Sequence, residues 1–246
     1  MFEIFKREVG GFFNSLTGYV VIIVYLLINS LFMWIIPGEW NIIDSAYAGL
    51  DTMFILSPWI FLFLVPAVTM RTIAEEKRSG TMEVLLSRPL SERQIIYGKF
   101  FGAVALVLLA MLPGLIYYVS VYLMGETPGN LDTGGTWGAY IGLFFLASIY
   151  AACGVFASSI TDNQVVAFIV AVLISIVMYI GFETFSLFEG FSKAESFVSS
   201  LGINEHYKSM SRGVIDIRDV SYFIITIVIF LESTRLVLQS AKWKKN

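Results

Sequence analysis

Long apolar runs, separated by polar segments, are the main pattern in this chain. Six of them approach the roughly 20 residues that a helix needs to cross a bilayer. They predict an all-α membrane protein with six transmembrane helices, at 18–36, 53–70, 100–124, 137–158, 165–185 and 222–239. Because further apolar runs follow the first, we interpret the first run as an anchor rather than a cleaved signal.

Composition and small residues support this class. Of the 246 residues, 57% are hydrophobic and 14% are charged, whereas soluble domains have about 25% charged residues. The single cysteine, Cys153, lies inside an apolar run, which excludes a disulfide within the chain and favours a packed residue. Two glycine pairs, Gly98 with Gly102 and Gly138 with Gly142, predict close helix packing in a tight bundle.

The positions of the lysines and arginines predict the orientation. If the six spans alternate, twelve of the sixteen basic residues fall on the side of the N-terminus, and the other four lie in one long loop at 186–220. The loops at 37–52 and 125–136 contain none. Since basic loops stay in the cytoplasm, both termini are predicted to be cytoplasmic (N-in, C-in), with the chain in the inner, or cytoplasmic, cell membrane.

Two segments outside the spans are predicted to lie at the membrane surface. In the segment at 1–16, apolar residues form one helical stripe, which predicts an amphipathic helix in the inner interface. They are Phe2, Phe5, Val9, Phe12 and Leu16. This helix is either a simple anchor or an elbow that moves the first span. In the loop at 186–220, apolar residues among polar ones predict short helices at the outer interface.

The polar segment at 71–97, between the second and third spans, is longer than a simple connection needs. Helix-forming residues extend the second span until Gly80 ends the extension. A short cross-piece follows, in which Met82, Leu85 and Leu86 are predicted to be exposed apolar residues within a charged rim. Such a patch is typical of a protein contact; the alternative is that the cross-piece folds back onto the bilayer surface.

The run Ala74-Glu75-Glu76-Lys77-Arg78-Ser79-Gly80-Thr81-Met82-Glu83-Val84-Leu85-Leu86-Ser87-Arg88-Pro89, together with six spans, resembles the permease subunits of ABC-2 type transporters. Within that family the chain is similar to the gliding-motility permeases (GldF) and the NosY-like permeases of nitrous-oxide-reductase maturation. The resemblance covers essentially the full length. It implies a cytoplasmic coupling helix that docks on an ATP-binding subunit. The implied docking residues are Glu75, Glu76, Lys77, Arg78, Gly80, Thr81, Met82, Glu83, Leu85, Leu86 and Arg88.

The resemblance also implies the role and the partners. The chain has no Gly-x-x-x-x-Gly-Lys-Ser/Thr loop, so we expect a permease rather than an enzyme, with no catalytic residue, cofactor or metal of its own. ATP and Mg²⁺ would be bound by the ATP-binding subunit. Expected partners are two such subunits, a second permease (the same chain or a homologue), membrane lipid and an accessory outer-domain protein, but no nucleic acid. The expected function is export, in gliding motility or secretion. The spans are aliphatic and aromatic without an evident polar lining, so the expected cargo is lipid-like or hydrophobic, or a lipid-anchored protein handled from the outer leaflet. An ATP-driven scaffold that transmits force to an outer assembly, without a transported substrate, stays open as the alternative.

Four polar residues in or beside the spans are candidate intramembrane contacts, namely Asn29, Glu183, Glu232 and Arg235. Glu232 and Arg235 are one turn apart and are predicted to form an ion pair. Asn29 predicts a hydrogen bond between helices, and Glu183 is either a functional contact or an interfacial group. The lone histidine, His206, favours packing over a metal site. Its position outside the spans, with no aspartate in mid-span, argues against an intramembrane protease, and the scarcity of mid-span ionisable groups argues against a secondary transporter.

Overall fold

The structure is a computed structural model that describes residues 1–45, 47–86, 90–125, 131–186 and 195–243, and within them it is helical with no strand. A π-helical turn follows α2 at Leu31–Ile35 and another follows α10 at Val177–Gly181, while a 3₁₀ turn separates α7 from α8 at Leu112–Gly114. The helices are α1 (Phe2–Phe13), α2 (Leu16–Ser30), α3 (Ile42–Ser45), α4 (Asp51–Thr69), α5 (Ala74–Arg78), α6 (Thr81–Leu86), α7 (Glu92–Met111), α8 (Leu115–Met124), α9 (Thr133–Ile160), α10 (Gln164–Ile176), α11 (Phe182–Ser186), α12 (Glu195–Ser199), α13 (Ile203–Ser211) and α14 (Ile217–Trp243).

Within the described residues, six helical stretches are long and apolar enough to cross a membrane, in agreement with the predicted number of spans. They are Leu16–Ile35, Asp51–Arg78, Glu92–Met124, Thr133–Ile160, Gln164–Phe185 and Ile217–Ser240. The first turn of α4 contacts α13, and its last turn leads to α5. We therefore call the end of the bundle that carries α1, α5 and α6 the α5 end, and the opposite end the α13 end.

The start of α7 has a capping box, which Ser91 and Gln94 also predict from their spacing. The Ser91 hydroxyl oxygen accepts a hydrogen bond from the Gln94 backbone N–H at 3.3 Å, and Gln94 Oε1 accepts one from the Ser91 backbone N–H at 3.1 Å. Two of the N–H groups that a helix start leaves without partners are thereby satisfied. The third span consequently has a defined start at the α5 end.

The central helix of the bundle is α9, which packs against α4, α7, α10, α13 and α14. Small side chains allow this central position: Ala151, Ala152 and Cys153 are fully buried. A Cβ atom on Gly154 would collide with the side chain of Thr69 on α4. Backbones that approach this closely gain many dispersion contacts. Cys153 is a buried, packed thiol, as its apolar surroundings in the sequence predict.

A proline in α4 is compensated by a side chain from α13. Pro58 has no backbone N–H, so the carbonyl of Phe54 has no partner within α4. The hydroxyl of the buried Tyr207 donates a hydrogen bond to that carbonyl at 2.8 Å. A freed carbonyl at membrane depth needs a partner from a neighbouring element, and here the partner fixes α13 to α4.

The glycine pair at the start of α7 receives α1. A Cβ atom on Gly98 would lie 2.9 Å from Cβ of Ile4, and one on Gly102 would lie 2.7 Å from Cβ of Glu8. Ile4 and Phe12 are buried on the same face of α1. Phe2 and Leu16, the ends of the predicted apolar stripe, are 62% and 80% exposed. The protein-facing side of α1 therefore runs through Ile4 and Phe12 and coincides with the predicted apolar stripe at Phe12 alone.

The second glycine pair, at the start of α9, receives α13 in the same way. A Cβ atom on Gly138 would collide with the backbone carbonyl of Met210, and one on Gly142 would lie 3.1 Å from the ring of Tyr207. Small residues spaced four apart permit close helix approach. Both pairs hold short helices at the ends of the bundle, rather than joining one spanning helix to another.

Replacing Gly98 by alanine is expected to separate α1 from α7. The added Cβ would lie 2.9 Å from Ile4 and 3.1 Å from the carbonyl oxygen of Met1, both too close for ordinary contacts. The matched variant is Gly10→Ala, because nothing lies within 4 Å of the added atom there. Each replacement gains the same helix propensity, about 1 kcal/mol. We expect a lower midpoint of thermal unfolding in detergent for Gly98→Ala and not for Gly10→Ala; equal midpoints would contradict the described packing.

Candidate docking surface and its charged anchor

A bent segment at 74–86, which we call the docking turn, projects from the end of the second span. It consists of α5, a two-residue turn and α6. Gly80 has a φ of +72° in this turn, a left-handed conformation that residues with a side chain adopt at a cost of about 1–2 kcal/mol. Nothing lies within 4 Å of the position of its missing Cβ. The backbone conformation at Gly80 therefore favours glycine, while the space around it is open.

One hydroxyl group of α9 forms three hydrogen bonds with the segment that connects α4 to α5. Ser158 Oγ donates a hydrogen bond to the carbonyl of Met70 at 2.9 Å. The same oxygen accepts hydrogen bonds from the backbone N–H groups of Ile73 and Ala74, at 3.0 and 2.9 Å. Helix ends leave such groups without partners. Ser158 satisfies the end of one helix and the start of the next, and so fixes the angle between them to α9.

A cluster of four charged residues, which we call the charged anchor, joins the docking turn to α1 and α7. It comprises Arg7 and Glu8 on α1, Glu76 on α5 and Lys99 on α7. The Lys99 side chain is only 1% exposed. Its ammonium group contacts Glu8 Oε1 at 2.9 Å, Glu76 Oε1 at 3.0 Å and the carbonyl oxygen of Thr72 at 2.5 Å. These three acceptors match the three donors of an ammonium group.

The charges of the anchor balance, which makes burial of Lys99 tolerable. Arg7 Nη2 contacts Glu76 Oε1 at 2.6 Å and Glu8 Oε1 at 3.3 Å, so two cations face two carboxylates. Partial burial acts to lower the pKa of Arg7, but the charges of Glu76 and Glu8 and their hydrogen bonds outweigh it and raise that pKa. A buried ion is stable only when partners replace its water. The anchor therefore holds three helices in one arrangement.

Some of the predicted docking residues are exposed, and others bond to neighbouring helices of the same chain. The exposed ones are Glu75, Arg78, Gly80, Thr81 and Glu83. Glu76 belongs to the charged anchor, and the half-buried Lys77 donates a hydrogen bond to the carbonyl of Ser159. Arg88 and the side chain of Leu86 lie outside the part of the molecule that the structure describes.

The prediction that Met82 and Leu85 are exposed apolar residues is wrong. Their side chains are 6% and 8% exposed and belong to the hydrophobic cluster that continues through the spans. Burying a side chain of this size stabilises the protein by about 1.5–3 kcal/mol, so α6 packs its apolar face inward. Among the described side chains of the docking turn, those that stay exposed are polar or charged.

The predicted pair of Glu232 and Arg235 is present and belongs to a larger set of charges. Arg235 Nη1 contacts Glu232 Oε2 at 3.1 Å. Glu232 Oε1 also contacts Arg93 Nε of α7 at 3.0 Å. The side chain of Glu232 is one-third exposed, so each contact is a partly solvated one of modest strength. Together they hold the last span against the start of the third.

The side chain of Glu183 contacts two residues of α13. Glu183 Oε2 accepts a hydrogen bond from Asn204 Nδ2 at 2.6 Å, and its Oε1 contacts Lys208 Nζ at 3.2 Å. It thus links α11 to α13.

The prediction that Asn29 bonds to another helix is wrong for the described residues. Its Nδ2 donates a hydrogen bond to the carbonyl of Tyr25 in the same helix, and its buried Oδ1 has no partner among those residues.

His206 is a packing residue at the α13 end, as the sequence predicts. Its ring is stacked on Tyr222 with 3.9 Å between ring centroids. Its Nδ1 lies 2.7 Å from Asp219 Oδ1, and its Nε2 lies 2.8 Å from the carbonyl oxygen of Ser200. These contacts hold α13 against the start of α14.

Sequence reasoning missed four residues that position the docking turn: Arg7, Glu8, Lys99 and Ser158. A usable signal existed for two of them. Glu8 lies one helical turn from Ile4 and one from Phe12, and therefore on the same side of α1 as these two buried residues. Lys99 directly precedes an apolar run. A charged residue at such a position requires a partner of opposite charge. Ser158 has no comparable signal, because serine is common in spanning helices.

Six span-capable helices and a charged turn held by a buried ammonium group define a multi-pass helical membrane protein with a structured polar segment between its second and third spans. No curated protein that was compared with the chain matches it. The family model of the ABC-2 family transporter proteins matches residues 22–238, most of the chain. The protein belongs to this family of transporter membrane domains, whose members generally work with an ATP-binding subunit.

Proposed function

We propose that this chain is the permease subunit of an ABC-2 type exporter, and that a separate subunit hydrolyses ATP while bound to the docking turn. The observation that carries the proposal is the attachment of an exposed, charged turn to three helices through Lys99 and Ser158. A force applied at Gly80 reaches α1, α7 and α9 through these contacts. The chain itself supplies no catalytic residue, nucleotide site or metal site in this proposal.

The proposed orientation has the α5 end in the cytoplasm of the cell that carries this membrane. The positive-inside distribution of lysine and arginine supports it, as does the need of the docking turn to meet a cytoplasmic ATP-binding protein. In this orientation α1 lies in the inner interface, where the exposed Phe2 of α1 and Leu16 at the start of α2 contact lipid. The α13 end then faces the exterior or the periplasm.

The proposed mechanism is a rigid-body movement. Closure of two ATP-binding subunits on ATP moves each docking turn, and the charged anchor carries α1 and α7 along with it. Packed helices switch between discrete arrangements rather than deforming continuously. ATP biases these arrangements only through contacts that differ between them. We accordingly propose an assembly of two permease subunits, either two copies of this chain or the chain with a homologue, and two ATP-binding subunits.

We propose membership of the group that contains the GldF and NosY-like permeases, on the resemblance of the segments at 74–89 and 206–222 to theirs. The cargo that we propose for this chain is hydrophobic or lipid-like, because its spans are aliphatic and aromatic. A scaffold that transmits force would bind an ATP-binding subunit in the same way. Transport by the reconstituted complex is the measurement that separates a pump from such a scaffold.

Binding of the ATP-binding subunit is expected to depend on the exposed charges of the docking turn. Arg78→Glu reverses an exposed charge that no carboxylate pairs with among the described residues. We expect copurification of the ATP-binding subunit to fall at least tenfold. The matched variant Lys6→Glu reverses an exposed charge at the same end, on α1, and should leave copurification unaltered.

A second pair of variants tests the shape of the turn. Gly80→Val places a β-branched residue at a φ of +72°, whereas Gly80→Asn introduces a residue that tolerates the left-handed region. We expect copurification to be lost with valine and retained with asparagine. Normal copurification and transport by both Arg78→Glu and Gly80→Val would overturn the docking assignment.

A further inference from the structure

A cleft of about 400 Å³ opens at the α13 end of the molecule, far from the docking turn. It lies between the start of α4, the start of α9, the π-helical turn after α10, and α13. π-Helical turns occur often at functional sites, and the volume is in the range of small-molecule sites, roughly 300–1,000 Å³. Five aromatic side chains line the cleft, namely Tyr47, Phe54, Trp59, Tyr179 and Tyr207.

Among the described residues, the lining of this cleft carries more negative than positive charge. Asp51 and Asp132 both line it. One carboxylate oxygen of Asp132, Oδ1, already accepts a hydrogen bond from the Gly135 backbone N–H at 2.9 Å. Asp51 is exposed, and no cation pairs with it among the described residues. Lys208 also lines the cleft, but its ammonium group is already paired with Glu183 at 3.2 Å.

The aromatic residues add a second attraction for cations. The indole of Trp59 stands edge-on to the ring of Tyr179, with centroids 5.6 Å apart, and is 44% exposed. Aromatic faces attract organic cations by about 0.5–2 kcal/mol, more as water is removed. A carboxylate beside aromatic walls would repel an anion and would leave a neutral apolar ligand facing an unpaired charge.

We propose that this cleft is a binding site for a hydrophobic organic cation. The cationic centre lies beside Asp51, and the apolar body lies against Trp59 and Tyr179. The site belongs to the permease chain alone. Its occupancy does not require the ATP-binding subunit, so failure of the docking assignment leaves this proposal to be judged separately.

The experiment measures saturable binding of radiolabelled tetraphenylphosphonium to the detergent-solubilised full-length chain by scintillation proximity. Asp51→Asn and Trp59→Ala are each expected to weaken binding at least tenfold. Each has a matched control at the same end and outside the cleft lining: Glu39→Gln removes an exposed carboxylate, and Trp40→Ala removes an indole that is also 44% exposed. Both controls should bind like the unaltered chain.

Three results would overturn the proposal. One is the absence of saturable binding by the unaltered chain. Another is an equal loss in the control variants. The last is unaltered binding by Asp51→Asn, whatever its unfolding midpoint; a lower midpoint would mean that Asp51 serves to stabilise the start of α4. Monodisperse elution of each variant establishes that it is folded, and competition by dodecyltrimethylammonium but not by dodecyl sulfate provides an independent readout of the charge preference.

Discussion

Lys99→Met is expected to lower the free energy of unfolding by about 3–5 kcal/mol, the usual cost of removing one partner from a buried ion pair, and to abolish transport. Methionine fills a similar volume without the ammonium group. The carboxylates of Glu8 and Glu76, which now share that group through their Oε1 atoms, would face each other with Arg7 as their nearest cation. Chemical unfolding in detergent and ATP-dependent transport by the reconstituted complex are the measurements.

Two further variants identify the cause of that loss. Lys6→Met removes an exposed ammonium group from α1 and should change neither quantity. Lys99→Met combined with Glu76→Gln restores the charge balance, with Glu8 facing Arg7, and should recover part of the stability while transport stays low. If Lys99→Met unfolds like Lys6→Met, the buried ammonium group is not what holds the docking turn in place.

Ser158→Ala is expected to loosen the base of the docking turn. It removes the partner of two N–H groups and one carbonyl group, those of Ile73, Ala74 and Met70. Each buried group left without a partner costs about 1–3 kcal/mol. We expect faster hydrogen exchange at the Ile73 and Ala74 amides, a lower unfolding midpoint, and reduced transport with the ATP-binding subunit still bound.

The adjacent Ser159 supplies the matched control. It is as fully buried as Ser158, but its hydroxyl donates only to the carbonyl of Phe156 in its own helix. Ser159→Ala keeps the backbone carbonyl that Lys77 contacts. Its exchange rates and transport should match those of the unaltered chain. Equal protection of Ile73 and Ala74 in the two variants would refute the role assigned to Ser158.

Features set by local chemistry were predictable from the sequence. The number of spans follows from run length, because a bilayer has a fixed thickness. The capping box follows from the spacing of Ser91 and Gln94. The need for a partner at Pro58 follows from its missing N–H, although nothing in the sequence identifies Tyr207, which lies 153 positions from Phe54, as the donor.

Features that depend on which helices meet were not predictable. A pair such as Gly98 and Gly102 indicates close approach but not the identity of the approaching helix, and the helix it receives is α1. Met82 and Leu85 illustrate the same limit, because an amphipathic pattern gives an apolar face without stating whether a partner or the chain itself covers it. The anchor needs residues from α1, α5 and α7, and no local pattern connects them.

The burial of Cys153 has a practical consequence for determining topology. It is the single thiol of the chain and it is inaccessible, so maleimide reagents have no background site on the folded protein. A cysteine introduced at Arg78 or at Tyr47, one at each end of the bundle, can therefore be modified selectively. Membrane-impermeant maleimides applied to intact cells then distinguish the two sides of the bilayer without any removal of the native thiol.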